Sequence, residues 1–273
     1  MRRYVNQPLA IGADIILEDE DYNYIVRVLR HREGDSIVLF NGEGGEYHGI
    51  IIEIAKRHLT IRLKKYNPIN RESRLKINIL QSLVKGEKMD FVLQKGSELG
   101  MNAITPIITE RSVLHLKKEQ LPKRLERWHH IITSACEQCG LNLPPTLHAP
   151  VELKEWLEEY YAKEETLLIT LSPTAEQSLG HFLCHDLQTR ETMPASITFI
   201  IGPEGGLSEE EIEQLQKVGA HSVTLGPRIL RTETAALSVI STLQGIMGDW
   251  SESAERTIEI ENDEYLQTHE SFD

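Results

Sequence analysis

A chain of 273 residues, 40% hydrophobic and only 6% aromatic, is long enough for one large domain or two modest ones, each with its own core. It has no run of eighteen apolar residues, which excludes a membrane-spanning helix. The start MRRYVNQPLAIGAD has no apolar stretch behind its arginines and does not read as a secretory signal, so a soluble, cytoplasmic protein is expected.

The net charge of −13 is unevenly spread. Residues 1–130 hold 22 Lys/Arg against 17 Asp/Glu (+5), residues 131–249 hold 6 against 17 (−11), and residues 250–273 hold 1 against 8 (−7). Phosphate binding follows local cation density rather than the total, so the first half can still meet a polyanion.

In chain order, Asp19–Arg30 (DEDYNYIVRVLR) has a helical pattern. Ser36–Phe40 and Glu46–Ile54 are predicted strands joined by the glycine-rich turn NGEGG, and His58–Leu63 alternates apolar and polar as a half-buried strand does. A small β-barrel carrying one helix accounts for residues 1–70. The polar stretch KKYNPINRES, 64–73, marks the boundary. Beyond it strands and helices alternate: strand 75–84, helix 88–99, strand 103–108, helix 120–139 ended by Gly140 and Pro144-Pro145, helix 156–161 and strand 166–171. This order predicts an α/β domain over 74–249, built on a mostly parallel sheet with helices on both faces. Residues 250–273 read as an acidic tail of poor order.

Cys136, Cys139 and Cys184 fit a reducing compartment. Cys136 and Cys139 form a C-x-x-C, with His181 and His185 as nominal further ligands. The pair lies one helical turn apart without a second such pair, so it reads as small residues packing a helix, and no metal site is expected. Trp128 reads as core, and Lys95 with Glu98 as a surface ion pair.

Two consecutive units near the C-terminus share one design. Strand Ser196–Ile201 runs into Gly202-Pro203-Glu204-Gly205-Gly206, after which Ser208 and Glu211 form the S-x-x-E capping box of a helix. Strand His221–Leu225 runs into Gly226-Pro227-Arg228, then Ile229 to Thr234, then an Ala-rich helix. Glycines at the carboxyl ends of strands let backbone approach a ligand closely. Neither loop is G-x-G-x-x-G or a Walker loop, which disfavours a nucleotide-dependent dehydrogenase. One such joint would be a plain turn; two in succession favour a binding site.

These two stretches, IGPEGGLSEEEI and LGPRILRTETAAL, closely resemble the signature segments of the RsmE family of the SPOUT superfamily. RVLR (27–30), LFNGEGGEY (39–47), KGEKMDFVLQKGSELG (85–100), TPIITERSV (105–113) and RWHHIITSACEQCG (127–140) follow in the family's order, so the resemblance covers about residues 1–248. It implies an S-adenosylmethionine-dependent methyltransferase that forms N3-methyluridine in small-subunit (16S) ribosomal RNA. It also implies a PUA-like barrel that touches RNA, a SPOUT domain with a deep trefoil knot, and a homodimer acting on rRNA, expected in the assembled 30S subunit. The donor site carried over by the match is Ile201, Gly202, Gly206, Leu225, Gly226, Leu230 and Arg231.

Methylating a uridine imide nitrogen requires its anion to be favoured. Arg231 is the candidate cation and Glu233 the candidate base. A salt bridge at a helix start is the competing account of Arg231, and dipole stabilisation that of Glu233 and Glu204. Arg27 and Arg30, three apart on a predicted helix, form with Arg2, Arg3 and Arg32 a candidate phosphate-gripping patch, a solvated basic face being the alternative. Leu141 stands where the family usually has arginine. That departure is the one feature favouring the alternative function, a non-catalytic RNA-binding or ribosome-assembly protein that keeps the fold.

Overall fold

The computed structural model describes residues 1–84, 86–112, 118–159, 166–187, 194 and 196–251. The acidic tail beyond Ser251, and the end of the helix expected over 156–161, lie outside the described residues.

The N-terminal sheet has the order β1-β3-β4-β5-β2, formed by β1 (Arg2–Tyr4), β2 (Asp14–Glu18), β3 (Ser36–Phe40), β4 (Glu46–Ile54) and β5 (His58–Asn67). All its pairings are antiparallel except β1 with β3. Irregular register between β4 and β5, at His48/Gly49 and Ile51/Glu53, gives the bends that curl such a sheet. Gly49 is required there, because a Cβ would stand 2.6 Å from Ile61 Cγ2. The concave face buries Ile15, Leu17, Ile37, Leu39, Ile51 and Ile61 around Ile25.

The helix expected over 19–30 is two pieces. α1 (Asp19–Tyr22) runs into a six-residue π-helix, Asn23–Val28, and the turn closes with Arg30 at φ +60. β5 extends four residues past the predicted end. β1 and β2 were not legible, being a short polar strand and a segment sandwiched between turns.

The second sheet has seven strands, with the order β12-β10-β11-β6-β7-β8 and β9 on β7 beyond β8. Its members are β6 (Lys76–Ser82), β7 (Ala103–Ile108), β8 (Thr146–Leu147), β9 (Val151–Glu152), β10 (Thr166–Leu171), β11 (Ser196–Ile201) and β12 (His221–Val223). Every pairing is parallel. β10 and β11 are apolar almost throughout because both faces are covered. On one face α2 (Lys88–Glu98), α3 (Leu121–Cys139) and α7 (Thr232–Ile246) bury Met89, Val92, Trp128, Ile132 and Ile240 against Ile77 and Ile79. On the other, α4 (Leu153–Glu159) and α6 (Glu209–Lys217) bury Trp156 and Leu215 against Leu80, Leu168 and Ile200. A short helix, α5 (Leu179–His181), followed by a π-helical stretch Phe182–Leu187, lies between β10 and β11 in the chain.

The two sheets are fastened through β1 and α3. Arg2 pairs with Glu46 and donates to Asn142 Oδ1 at 2.5 Å. Arg3 pairs with Asp21 and with Glu137 at 3.1 Å, and Glu137 also accepts the Tyr4 amide at 3.0 Å. Among the described residues no helix is long and apolar enough to cross a membrane.

Candidate active site

The carboxyl ends of β12, β10 and β11, adjacent in the sheet, open onto one pocket of about 300 Å³. Leu171 ends β10 and Pro173 follows it, Ile201 ends β11 with Gly202 and Gly206 after it, and Leu225, Leu230 and Arg231 follow β12. The pocket therefore gathers both glycine loops, and six of the seven expected donor-site residues line it. The seventh, Gly226, adjoins it at φ +101, its carbonyl accepting from Thr224 Oγ1 at 3.2 Å.

Gly202 is fixed by space: a Cβ would lie 3.0 Å from the Leu207 amide nitrogen and 3.1 Å from the Gly206 carbonyl carbon. Gly206 is fixed by conformation, at φ +71, where side chains are disfavoured. The loop is clamped from outside by Arg111, whose Nη1 donates to the Gly205 carbonyl at 2.9 Å and to that of Leu207 at 3.3 Å. The predicted capping box forms, with Ser208 N donating to Glu211 Oε2 at 2.8 Å and Glu211 N to Ser208 Oγ at 3.3 Å. Glu211 Oε1 in addition accepts the Glu110 amide at 2.8 Å.

β12 ends at Val223, two residues before the predicted end, and this releases Thr224 and Leu225 to the pocket wall. The chain then returns to α7, where Thr232 Oγ1 donates to the Gly202 carbonyl at 3.0 Å and accepts from the buried Gln81 Nε2 at 2.9 Å. One hydroxyl thus ties the second loop to the first and to β6. Arg231, exposed, is the N-cap residue of α7 without a side-chain cap bond. Glu233 lies between the lining residues Thr232 and Ala235, its Oε2 buried and, among the described residues, without a hydrogen-bond partner.

Lys88, at the start of α2, reaches across to Glu204 Oε1 at 2.5 Å. Its pKa is raised, first by that hydrogen bond and further by the charges of Glu204 and Glu233. Lys88, Thr232 and Leu171-Ser172-Pro173 were missed in the sequence. Their only signal was position at a strand end or helix start, and the strand order that brings them together is tertiary. A wider concavity of about 710 Å³, lined by charged residues of α2 and α3 such as Asp90 and Arg127, shares no residue with the glycine loops.

Elsewhere the structure gives Arg2 and Arg3 internal partners, so the phosphate role expected of them would require breaking the ties between the two sheets. Arg27 and Arg30 are exposed. Leu141, 6% exposed, is part of the apolar core beneath α3. Cys136 is buried and Cys139 half-buried in α3. A hydrogen bond from Cys136 lowers the Cys139 thiol, while the same contact and burial push Cys136 up.

Residues 71–244 match the model of an RNA methyltransferase domain, and residues 17–64 that of an RNA methyltransferase PUA domain. The chain is 35% identical to ribosomal RNA small subunit methyltransferase E of Buchnera aphidicola subsp. Schizaphis graminum, over 92% of this chain and 98% of that one. Among solved structures it resembles a Legionella pneumophila methyltransferase in complex with S-adenosylmethionine (TM-score 0.82, 39% identity, 91% of this chain and 98% of that one). It likewise resembles ribosomal RNA small subunit methyltransferase E of Neisseria gonorrhoeae bound to the same cofactor (TM-score 0.80, 34% identity, with the same shares). Matched by the RNA methyltransferase model over residues 71–244 and by the Buchnera aphidicola relative along nearly its whole length, the chain belongs to the ribosomal RNA small subunit methyltransferase E family.

Proposed function

We propose that the protein transfers a methyl group from S-adenosylmethionine to N3 of a uridine in small-subunit ribosomal RNA. The observation that carries this reading is the convergence of both glycine loops on one pocket with apolar walls and Arg231 on its lining. The site fits a nucleoside donor. Gly206, with open space where a side chain would stand, would let backbone approach the donor, and Leu225 and Leu230 would offer apolar surface to its purine ring. Ile201, Gly202, Gly206, Leu225, Gly226, Leu230 and Arg231 would hold it. When bound, S-adenosylmethionine supplies an electrophilic methyl on a sulfonium.

The chain's own groups prepare the nucleophile. Arg231 places a cation by the uracil oxygens, so the imide anion is favoured where its charge develops. Glu233, with a buried carboxylate oxygen that none of the described residues satisfies, takes the N3 proton. Lys88 keeps a second cation beside Glu204 and Glu233.

Arg27 and Arg30 contact the RNA backbone from the first sheet, in a chain divided as a PUA-like domain at 1–70, a SPOUT domain at 74–249 and a tail at 250–273. The return of the chain from β12 past the Gly202 loop to α7 supports a deep trefoil knot. Ile229, 88% exposed beside the pocket, supports a homodimer in which a second subunit covers this edge. The substrate is the assembled 30S subunit, met in the cytoplasm.

Purified protein, labelled S-adenosylmethionine and small subunits from a strain lacking this gene provide the test, with nucleosides separated after digestion. Label in N3-methyluridine is expected, and more of it with subunits than with free RNA. Label in another nucleoside, or none despite donor binding, would overturn the assignment.

A further inference from the structure

The π-helix Asn23–Val28 sets an unusual surface on the first sheet. Such helices are rare, and here the Leu29 amide donates to the Tyr24 carbonyl at 2.9 Å and that of His31 to the Ile25 carbonyl at 3.1 Å. With five residues closing each turn, Tyr24, Val28 and Leu29 share one face. All three are exposed, at 41%, 65% and 42%, although the same short segment buries Ile25 completely. The turn ends on Arg30 in the left-handed region at φ +60, a place where glycine is normally found.

The charges around this face are one-sided. From Tyr22 to Arg32 there are three arginines and no carboxylate. Of the flanking acids, Asp21 pairs with Arg3, Glu33 accepts the Ile54 amide, and Asp35 meets His31 and the Arg32 amide, while Asp19 and Glu20 are exposed at the start of α1. Among the described residues Arg27 and Arg30 have no carboxylate partner, and Arg27 lies 5.8 Å from the Tyr22 ring centroid. Apolar side chains held out from the surface between unpaired guanidinium groups match an RNA whose bases are unstacked, since such side chains can enter a base step while the arginines hold the phosphates on either side.

We propose that Val28 and Leu29, with Tyr24 beside them, form a wedge that enters an unstacked step of the RNA substrate, gripped by Arg27 and Arg30. The proposal rests on the RNA reading above and adds how the RNA is recognised.

The test compares the full chain with Val28→Ser/Leu29→Ser and Arg27→Gln/Arg30→Gln, measuring affinity for a single-stranded-loop fragment of small-subunit rRNA and for a perfect RNA duplex across a salt series. The apolar variant is expected to lose about tenfold in affinity for the loop RNA (about 1.4 kcal/mol), with an unchanged salt slope and unchanged duplex binding. The arginine variant is expected to lower the slope by about 1.4, the value for two single-strand phosphate contacts. Wild-type affinity in the apolar variant, or its conversion from dimer to monomer in sedimentation, would overturn the wedge, the latter because a second copy would then be its occupant. An unchanged slope in the arginine variant would overturn the grip. Labelling of RNA by the wild-type protein in the same preparation is read separately: its failure would sink the enzymatic reading, while the binding series judges the wedge.

Discussion

Arg231 stands at the amino end of α7, where the helix dipole disfavours a cation, and among the described residues no cap bond or ion pair explains its choice there. A role toward ligand does. Arg231→Ala is expected to lower kcat by about 10²–10³-fold, the usual cost of removing one donor to developing charge, a far larger loss than its weakening of donor binding measured by calorimetry. Equal losses in both would assign the residue to donor binding instead. Gly202 makes the opposite prediction. Its added Cβ would meet backbone rather than a yielding side chain, so Gly202→Ala should weaken donor binding by at least about tenfold while the protein still unfolds cooperatively. Leu141 needs no compensation in the fold, because its side chain is in the core; the arginine usual in the family would have to turn outward from this position.

The start of α6 shows how an element can be legible and its role hidden. Ser208-x-x-Glu211 announced the capping box, but not that the second oxygen of Glu211 accepts the Glu110 amide, 101 residues away. Ser208→Ala should cost about 1 kcal/mol as an ordinary cap loss. Glu211→Ala should cost more, roughly 2–4 kcal/mol, since it strips two amides of their acceptor; urea unfolding of the two variants measures the difference. Five of the seven strands of the second sheet were readable, the central ones because both-sided burial leaves long apolar runs, as in Ser196–Ile201; the two-residue β8 and β9 were not, being too short to carry a pattern. Both glycine loops were readable because strand ends and helix caps carry local signals. The segment Asp19–Arg30 was misread as one helix since its apolar spacing does not separate a 3.6-residue turn from a wider one. Arg2 and Arg3 were read as surface charge because their partners Glu46, Glu137 and Asn142 are brought near only by the packing of β1 on α3.

At the scale of the whole molecule, the two sheets are joined by charge as well as by packing. Glu46, 4% exposed, is the centre of this joint, receiving Arg2, Arg71 at 3.3 Å and Asn67 at 3.3 Å. Burial raises its carboxyl pKa, but the two guanidinium groups outweigh that, and the net shift is downward. A carboxylate with a lowered folded value stabilises the protein above its unfolded value, near 4.5, and this contribution is lost as pH falls through the folded value. Glu46→Gln should therefore be less stable than wild type at neutral pH, by roughly 1–3 kcal/mol. The gap should narrow below about pH 4.5 in chemical unfolding followed down the acid range; a gap constant with pH would mean that shape rather than charge makes the joint. The Thr232 hydroxyl, bonded at once to Gly202 and Gln81, carries a different consequence, one of timing. Three stretches meet at this one oxygen, two of them 30 residues apart and the third more than a hundred residues before either, and α7 is the last of them to be made. A nascent chain halted before α7 would already hold most of its sheet yet have no complete place for a donor, so methyl-transfer competence arrives in a single late event and cannot be expressed by a partly made enzyme.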